Sequence, residues 1–207
     1  METEIVPTGG TMWVGRAVDV IRGGGVVAFP TDTVYGIGAD PFQPRSVASL
    51  YEVKGRPAAK AIPILLGSRS DLDKVVEQVP GWVEALIEAY WPGALTIVLE
   101  MQPLVPAVVS AVGTVGVRIP DHPVALDLMQ ATGPLAVTSA NPSGKTEASD
   151  PVKVFKELGG KVDLILDGGV TPGGLPSTVL DCTVRPPKIL REGPISRETI
   201  LVTLNGI

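Results

Sequence analysis

The sequence predicts an α/β (α+β) fold in which a twisted, mixed β-sheet is flanked by helices. Short aliphatic runs of strand length are interspersed with longer segments whose apolar residues recur at helical spacing. The alternation breaks near the C-terminus, where Thr178–Asp181 and Lys188–Arg191 read as adjacent strands without a helix between them. This break favours a mixed sheet over a wholly parallel one. We see no internal repeat and no break in composition, so we expect one domain over residues 1–207.

The predicted helices are amphipathic segments bounded by residues that favour helix ends. Gly23 follows the first helix, and Asp150 before Pro151 is a candidate N-cap for a later one. Ser70 is a candidate N-cap for a shorter helical segment that contains Leu72. In chain order, the longer segments are Thr11–Arg22, Pro44–Lys54, Gly81–Tyr90, Asp121–Met129, Pro151–Leu158 and Ser196–Leu204.

The predicted strands are short runs rich in β-branched and aliphatic residues. Pro30 ends the first of them, and most of the others are bounded by glycine, proline or polar residues. In chain order, these runs are Val26–Phe29, Ile62–Leu66, Ala94–Glu100, Val115–Ile119, Leu135–Ser139, Leu164–Leu166, Thr178–Asp181 and Lys188–Arg191.

The amino-acid composition argues against several classes of protein. The formal net charge of −5 argues against a protein whose main task is to coat nucleic acid. The acidic N-terminus does not read as a signal peptide, and no apolar run approaches membrane-spanning length. One cysteine, Cys182, cannot form a disulfide within the chain, and one histidine, His122, cannot complete a zinc site with it. We therefore expect a cytoplasmic protein with no membrane segment and no protein-bound metal.

Polar and cationic residues follow the ends of several predicted elements. Clefts at strand ends are the usual ligand sites of α/β proteins, and serine, threonine, lysine and arginine side chains can together hold an anion. Each hydroxyl taken alone is more typical of a turn or cap, and each cation of a solvated surface. The residues concerned are Thr31, Asp32, Thr33, Lys54, Arg56, Lys60, Arg118, Ser139, Asn141, Ser177, Thr178 and Arg191.

Several separated motifs resemble those of the YrdC-like threonylcarbamoyl-AMP synthases. They are PTDTVYGIGAD, KGRP, VGVRIPDHP, TSANPSG, STVLD and ILREG, and together they run from about Val14 to Arg197. The resemblance implies a short, single-domain member with a twisted mixed sheet and an open, positively lined cavity. It also implies synthesis of L-threonylcarbamoyladenylate from L-threonine, bicarbonate and ATP, with release of pyrophosphate, for the threonylcarbamoyl modification of adenosine 37 in tRNA.

The same resemblance assigns individual residues. The Lys-x-Arg and Ser-x-Asn elements of the family match Lys54, Arg56, Ser139 and Asn141, which become the catalytic candidates. ATP would contact Arg56, Lys60, Thr114, Ser139, Asn141, Ser149 and Arg191. Threonine would contact Thr33, Arg118, Ser139 and Ser177. Some members carry a histidine after KGRP on the threonine side, whereas this chain has the apolar segment Ile62–Leu66 there.

The resemblance also carries expectations about cofactor and partners. Mg²⁺ would be held mainly by the ATP phosphates and by water. A downstream tRNA-modifying transferase complex would take up the product, and direct RNA binding has weak support. Two other functions stay open at this point. One is a carbamoyl-transfer domain of the hydrogenase-maturation type, which shares the fold, and the other is an RNA-binding assembly factor.

Overall fold

The computed structural model describes residues 2–172 and 174–205. Within these residues the chain forms ten strands and six α-helices. The strands are β1 (Glu4–Pro7), β2 (Val27–Phe29), β3 (Gly36–Ala39), β4 (Ile64–Leu65), β5 (Leu95–Glu100), β6 (Thr114–Arg118), β7 (Leu135–Ser139), β8 (Leu164–Asp167), β9 (Thr178–Asp181) and β10 (Lys188–Arg191). The helices are α1 (Met12–Arg22), α2 (Pro44–Lys54), α3 (Glu84–Tyr90), α4 (Pro123–Thr132), α5 (Pro151–Leu158) and α6 (Arg197–Asn205).

The strands join into a single mixed sheet, which confirms the predicted fold class. Their order across the sheet is β1-β8-β2-β3-β7-β4-β6-β5-β9-β10. Pairing is parallel where β8 contacts β1 and β2, between β4 and β6, and between β5 and β9. The remaining neighbours are antiparallel, including the predicted adjacent pair β9 and β10. Strands distant in sequence are therefore brought side by side.

Apolar side chains pack on both faces of the sheet. Trp13 and Ile21 of α1 and Met129 of α4 belong to one buried cluster. A second and larger cluster includes residues of α2, α3 and α5, such as Leu50 and Leu86. The core is mainly aliphatic, as expected from an aromatic content of 4%. Within the described part of the chain, no helix combines the length and apolar character needed to cross a bilayer.

Strand β3 was absent from the predicted strands because two of its four residues are glycines, which have weak strand propensity. Both glycines are required by close packing against neighbouring strands. A Cβ at Gly36 would lie 2.8 Å from Val137 Cγ1, and a Cβ at Gly38 would lie 2.8 Å from Phe29 Cε1. The prediction also missed β1, which forms one edge of the sheet.

Several predicted helix starts differ from the structure. Ser68, and not Ser70, caps a 3₁₀ helix over Arg69–Lys74, and it forms a capping box with Asp71. α4 begins at Pro123 with His122 as its N-cap, whereas the predicted helix began at Asp121. The segment predicted as one helix over Gly81–Tyr90 begins with a 3₁₀ turn before α3. The Asp150 cap is confirmed, since its carboxylate accepts a hydrogen bond from the Lys153 backbone N–H.

Candidate active site

A cleft of about 140 Å³ lies where several strands and one helix end. β2 leads into Thr33, β6 ends at Arg118, β7 ends at Ser139, and Ser177 directly precedes β9. Arg191 ends β10, and Arg56 follows the left-handed cap of α2 at Gly55. The six predicted site residues that line this cleft are Thr33, Arg56, Arg118, Ser139, Ser177 and Arg191. The topology therefore brings together residues that lie up to 158 positions apart.

Arg118 lies at the base of the cleft and is almost fully buried. One terminal nitrogen of its guanidinium forms an ion pair with Asp32, and the other donates to Thr33 Oγ1 at 3.3 Å. The Thr31 hydroxyl fixes the turn that presents Thr33, because it donates to the Val34 carbonyl at 2.7 Å. Arg118 Nε is buried and has no partner within residues 2–172 and 174–205. Arg118 lines the cleft, and each terminal nitrogen of its guanidinium has a second N–H that can donate to a carboxylate.

Ser177 connects Arg191 to the base of the cleft. Arg191 donates to the Ser177 carbonyl through Nε at 3.0 Å and Nη2 at 2.8 Å, and to the Ser177 hydroxyl at 3.1 Å. The same hydroxyl lies 2.7 Å from Thr96 Oγ1. Thr96 also lines the cleft, from β5, which pairs with β6 on one side and β9 on the other. This hydrogen-bonded chain fixes the position of two groups assigned to different substrates.

Lys54 lies beneath the cleft, where its ammonium group is surrounded by oxygen atoms. Nζ donates to the carbonyl of Ser139 and to the carbonyl of Asn141, the latter at 2.6 Å. It also lies 3.3 Å from the Ser139 hydroxyl and 3.2 Å from Asn141 Oδ1. Asn141 is itself buried, and its amide donates to the carbonyls of Pro142 and Lys145. Lys54 thus holds the turn after β7 and does not line the cleft.

The environment of Lys54 gives a prediction for its titration. Burial, and to a smaller extent the charge of Arg56, lower the pKa of Lys54 to about 8, and the charge of Glu147 partly opposes this shift. We expect the ε-methylene resonance of Lys54, followed by ¹³C NMR, to titrate near pH 8, well below the ordinary value of 10.5. The resonance should vanish in Lys54→Met and persist in Lys60→Met. A midpoint at or above the ordinary value would contradict this description of the site.

Three other predicted residues do not line the cleft. Lys60 is exposed on the loop after α2, and its carbonyl accepts from Arg56 Nε at 3.1 Å. Thr114 begins β6 and so lies at the opposite end of that strand from Arg118. The Ser149 hydroxyl contacts Asp150 and the Lys153 ammonium beside the start of α5.

Sequence reasoning gave no role to several residues that contact the site. Asp32 was recognised only as a polar residue after a strand, although it is the ion-pair partner of Arg118. Thr96 lies inside a segment that was predicted as an apolar strand. Its hydroxyl among these apolar residues was the available signal of a role in the site. Glu147 was not singled out, and it acts on both Lys54 and Arg191.

Positive charges predominate in the cleft. Burial lowers the pKa of Arg191, Glu147 opposes this shift, and the nearby charges of Arg118 and Arg56 add to it. The guanidinium of Arg191 is therefore close enough to those of Arg118 and Arg56 to be repelled by both. Such a cluster favours a multiply charged anion. Among residues 2–172 and 174–205, no group of three or more histidine, cysteine or acidic side chains is arranged to hold a metal ion.

A larger groove of about 620 Å³ lies between β10 and α6. Its walls are mostly aliphatic and proline side chains, including Leu180, Pro186 and Leu201. We place the candidate active site in the smaller cleft because the arginines and hydroxyls converge there.

Comparison with protein families gives an unambiguous assignment. The family model Sua5_yciO_yrdC, described as "Telomere recombination", matches residues 19–193. The chain belongs to this Sua5/YciO/YrdC family. The match covers the whole cleft, from Thr31 to Arg191, and it confirms the resemblance that the sequence motifs indicated.

Relatives named threonylcarbamoyl-AMP synthase are similar over most of the chain. Threonylcarbamoyl-AMP synthase of Bacillus subtilis is 39% identical over 94% of this chain and 57% of its own length. The enzyme of the same name from Pseudomonas aeruginosa is 36% identical over 80% of this chain and 90% of its own length. This chain therefore spans little more than half of the first relative and most of the second.

Solved structures agree with the family assignment. P. abyssi Sua5 complexed with L-threonine superposes with a TM-score of 0.94 at 38% identity, covering 100% of this chain and 62% of that chain. T. kodakarensis HypF superposes with a TM-score of 0.74 at 21% identity, covering 87% of this chain and 24% of that chain. At that identity HypF shares the fold alone.

Proposed function

We propose that this chain is a nucleotidyltransferase that forms L-threonylcarbamoyladenylate from L-threonine, bicarbonate and ATP, with release of pyrophosphate. The product would serve the threonylcarbamoyl modification of adenosine 37 in tRNA. One observation carries the proposal: three arginines and the hydroxyls of Thr33, Ser139 and Ser177 line one cleft. Relatives named threonylcarbamoyl-AMP synthase support the same reaction.

The base of the cleft suits the amino acid. Arg118 would bind the threonine carboxylate through its unused donors, and Thr33 and Ser177 would contact its polar groups. Pro63, Leu65 and Val137 form an apolar wall that can contact the threonine methyl group. Contact with one methyl group discriminates by about 1–3 kcal/mol, which sets the scale of selection against serine. A volume of about 140 Å³ is below the roughly 300–1,000 Å³ of drug-sized ligand pockets and suits a small ligand.

The cations at the cleft, Arg56 and Arg191, and the nearby Lys60 could bind the triphosphate of ATP. Arg56 and Arg191 line the cleft, and Lys60 lies on the exposed loop next to Arg56, so phosphates could extend outward along these side chains. Ser139 lies between the two substrates, and Lys54 and Asn141 fix its position. Thr114 and Ser149 complete the proposed ATP contacts, although both lie outside the cleft lining and would require ATP to reach beyond it.

The proposed reaction requires positioning and charge stabilisation more than a protein nucleophile. The threonine amine first attacks the carbon of bicarbonate, which releases water and gives a carbamate, and a carbamate oxygen then attacks the α-phosphorus of ATP while pyrophosphate leaves. Guanidinium groups aimed at the phosphates would stabilise the charge that develops in this step. The cleft offers cations and hydroxyls in place of a carboxylate cage, so Mg²⁺ would be bound largely by the phosphates and water.

The finer biological setting is also part of this proposal. We place the reaction in the cytoplasm, upstream of a tRNA-modifying transferase complex that consumes the adenylate. The proposed domain comprises residues 1–207, and the sheet that is continuous from β1 to β10 supports it. An RNA-binding role has less support because the chain is acidic. The hydrogenase-maturation alternative rests on likeness of fold alone.

Pyrophosphate release tests the proposed function directly. We expect release from ATP and Mg²⁺ that depends on both L-threonine and bicarbonate, with each omitted in turn. Dependence on carbamoyl phosphate instead would indicate the hydrogenase-maturation alternative. Absence of turnover together with retention of RNA on a filter would indicate the RNA-binding alternative.

A further inference from the structure

Thr178 is one of the polar residues that the sequence places at a strand end, and the proposed reaction gives it no role. It is fully buried at the start of β9 and does not line the cleft, so it makes no contact with a ligand there. Its hydroxyl makes two hydrogen bonds to a single residue. Oγ1 donates to the Ile195 carbonyl at 2.8 Å and accepts from the Ile195 backbone N–H at 3.1 Å. Thr178 therefore joins the segment between β10 and α6 to the start of β9.

Two further contacts join the same two stretches of chain. Arg191 donates to the carbonyl and to the hydroxyl of Ser177. Gly193 lies directly against the backbone, since a Cβ there would be 2.4 Å from the Thr178 nitrogen and 2.5 Å from the Pro176 carbonyl oxygen. Alternate residues of one stretch thus contact neighbouring residues of the other. We call these contacts, together with the two hydrogen bonds of the Thr178 hydroxyl, the β9 clamp.

The rest of the fold does not hold the two sides of the β9 clamp equally. On the β9 side, the Thr178 backbone N–H donates to the Ala94 carbonyl at 3.0 Å, and β9 pairs with β5 from its first residue. On the other side, β10 ends at Arg191, and its pairing with β9 shifts register between Ile189 and Arg191. A shift of this kind interrupts the ladder locally. The side that carries Arg191 therefore depends more on the clamp.

The clamp fixes one edge of the Arg191 guanidinium and leaves the other edge for a ligand. Within the described residues its hydrogen bonds come from Nε and Nη2, and all of them go to Ser177. A guanidinium has five N–H groups, so the two on Nη1 remain available. Arg191 lines the cleft, and its proposed ligand is the triphosphate of ATP. The position of the clamp thus sets the position of a phosphate-binding group.

Resting on the proposed function, we propose that Thr178 is a positioning residue for ATP, which acts through the β9 clamp and not by contact with a substrate. Its hydroxyl holds residues 192–195 against β9, and this segment in turn holds Arg191 at the cleft. Ser177, which is assigned to threonine, does not need the hydroxyl because β5 fixes the start of β9. Loss of the Thr178 hydroxyl should therefore weaken ATP binding and spare threonine binding.

Calorimetric titration of Thr178→Val with Mg²⁺–ATP and, separately, with L-threonine tests this asymmetry. Valine keeps the branched shape but offers no hydroxyl to Ile195. We expect ATP to bind about tenfold or more weakly than to the wild type, and threonine to bind normally. Thr178→Ser retains the hydroxyl and should restore ATP binding. Thr183→Val is the matched control, because it removes a hydroxyl that donates to Asp181 at the far end of β9, and it should bind both ligands normally.

Thermodynamic linkage provides a second test that needs no variant. If the β9 clamp favours ATP binding, ATP must stabilise the clamp by the same factor. We expect saturating ATP to slow hydrogen exchange of the Ile195 amide, followed by NMR, about tenfold or more. Saturating threonine should leave this rate unchanged. The Thr183 amide, which donates to Asp181 Oδ1 at 3.0 Å, is the control and should respond to neither ligand.

A purely structural role for Thr178 predicts different results. Thr178→Val would then weaken ATP and threonine equally, or leave ATP binding unchanged, and either result overturns the proposal. Should Thr178→Val fail to fold, the exchange of the Ile195 amide decides, since a rate that ATP does not slow overturns it as well. Failure of the wild-type protein to bind ATP at all would instead contradict the proposed function.

Discussion

Arg118→Ala is expected to abolish threonine-dependent pyrophosphate release and to lower the free energy of unfolding by about 3–5 kcal/mol. The guanidinium is almost fully buried and paired with Asp32, so its removal leaves that largely buried carboxylate without its partner. It also removes the proposed ligand of the threonine carboxylate, a loss of about 2–5 kcal/mol in binding and hence of about thirtyfold or more in kcat/KM. Urea denaturation and a pyrophosphate assay measure the two effects.

Two further variants separate stability from ligand binding at this site. In Asp32→Asn/Arg118→Met both charges are absent, so much of the lost unfolding free energy should return while threonine binding should not. Arg16→Ala is the matched surface control, because the Arg16–Glu4 ion pair is half exposed and worth about 1 kcal/mol or less. An unchanged KM for threonine in folded Arg118→Ala would refute the assignment of Arg118 to the carboxylate.

Lys54→Met should have the second-largest effect, although Lys54 does not line the cleft. Methionine has a similar length but offers no donor to the carbonyls of Ser139 and Asn141. We expect the free energy of unfolding to fall by about 2–4 kcal/mol, because these acceptors lose their partner. Activity should fall at least a hundredfold, since the turn that carries Ser139 loses its support. Denaturation curves and initial rates at saturating threonine provide the measurement.

Lys156→Met is the control for this substitution, because Lys156 is exposed on α5. It should leave both the unfolding midpoint and the rate within error of wild type. Near wild-type turnover in Lys54→Met would mean that the Ser139–Asn141 turn keeps its shape without the ammonium group. The positioning role of Lys54 would then be wrong.

The sheet was largely predictable because most strands carry their own signal. Continuous runs such as Leu135–Ser139 coincide with the observed strand, and both C-terminal strands match to the residue. Prediction failed where packing overrides local preference. Gly36 packs against Val137, and Gly38 packs against both Phe29 and Val137, so only glycine fits at these two strand positions. Ser68 was overlooked as a cap because Ser70 is equally suited by residue type.

The site was predictable as a set of residue types but not as a set of contacts. Strand ends and motif resemblance pointed to Arg118, Ser139 and Ser177, and the structure brings these residues into one cleft. The pairing of Asp32 with Arg118 links two residues 86 positions apart, and no local pattern encodes it. The burial of Lys54 was likewise hidden, because a lysine at the last turn of a helix is usually exposed.

The order of strands in the sheet has a consequence for synthesis of the chain. Strand β1 pairs with β8, so Glu4 has no β partner until Leu164 has left the ribosome. Strand β2 likewise requires β8 for one of its two edges. During this interval apolar strands remain incompletely paired, a condition that promotes aggregation and slows folding. We therefore expect truncated nascent chains that end before residue 164 to need chaperone protection, and the cleft to form only after nearly the whole chain has been translated.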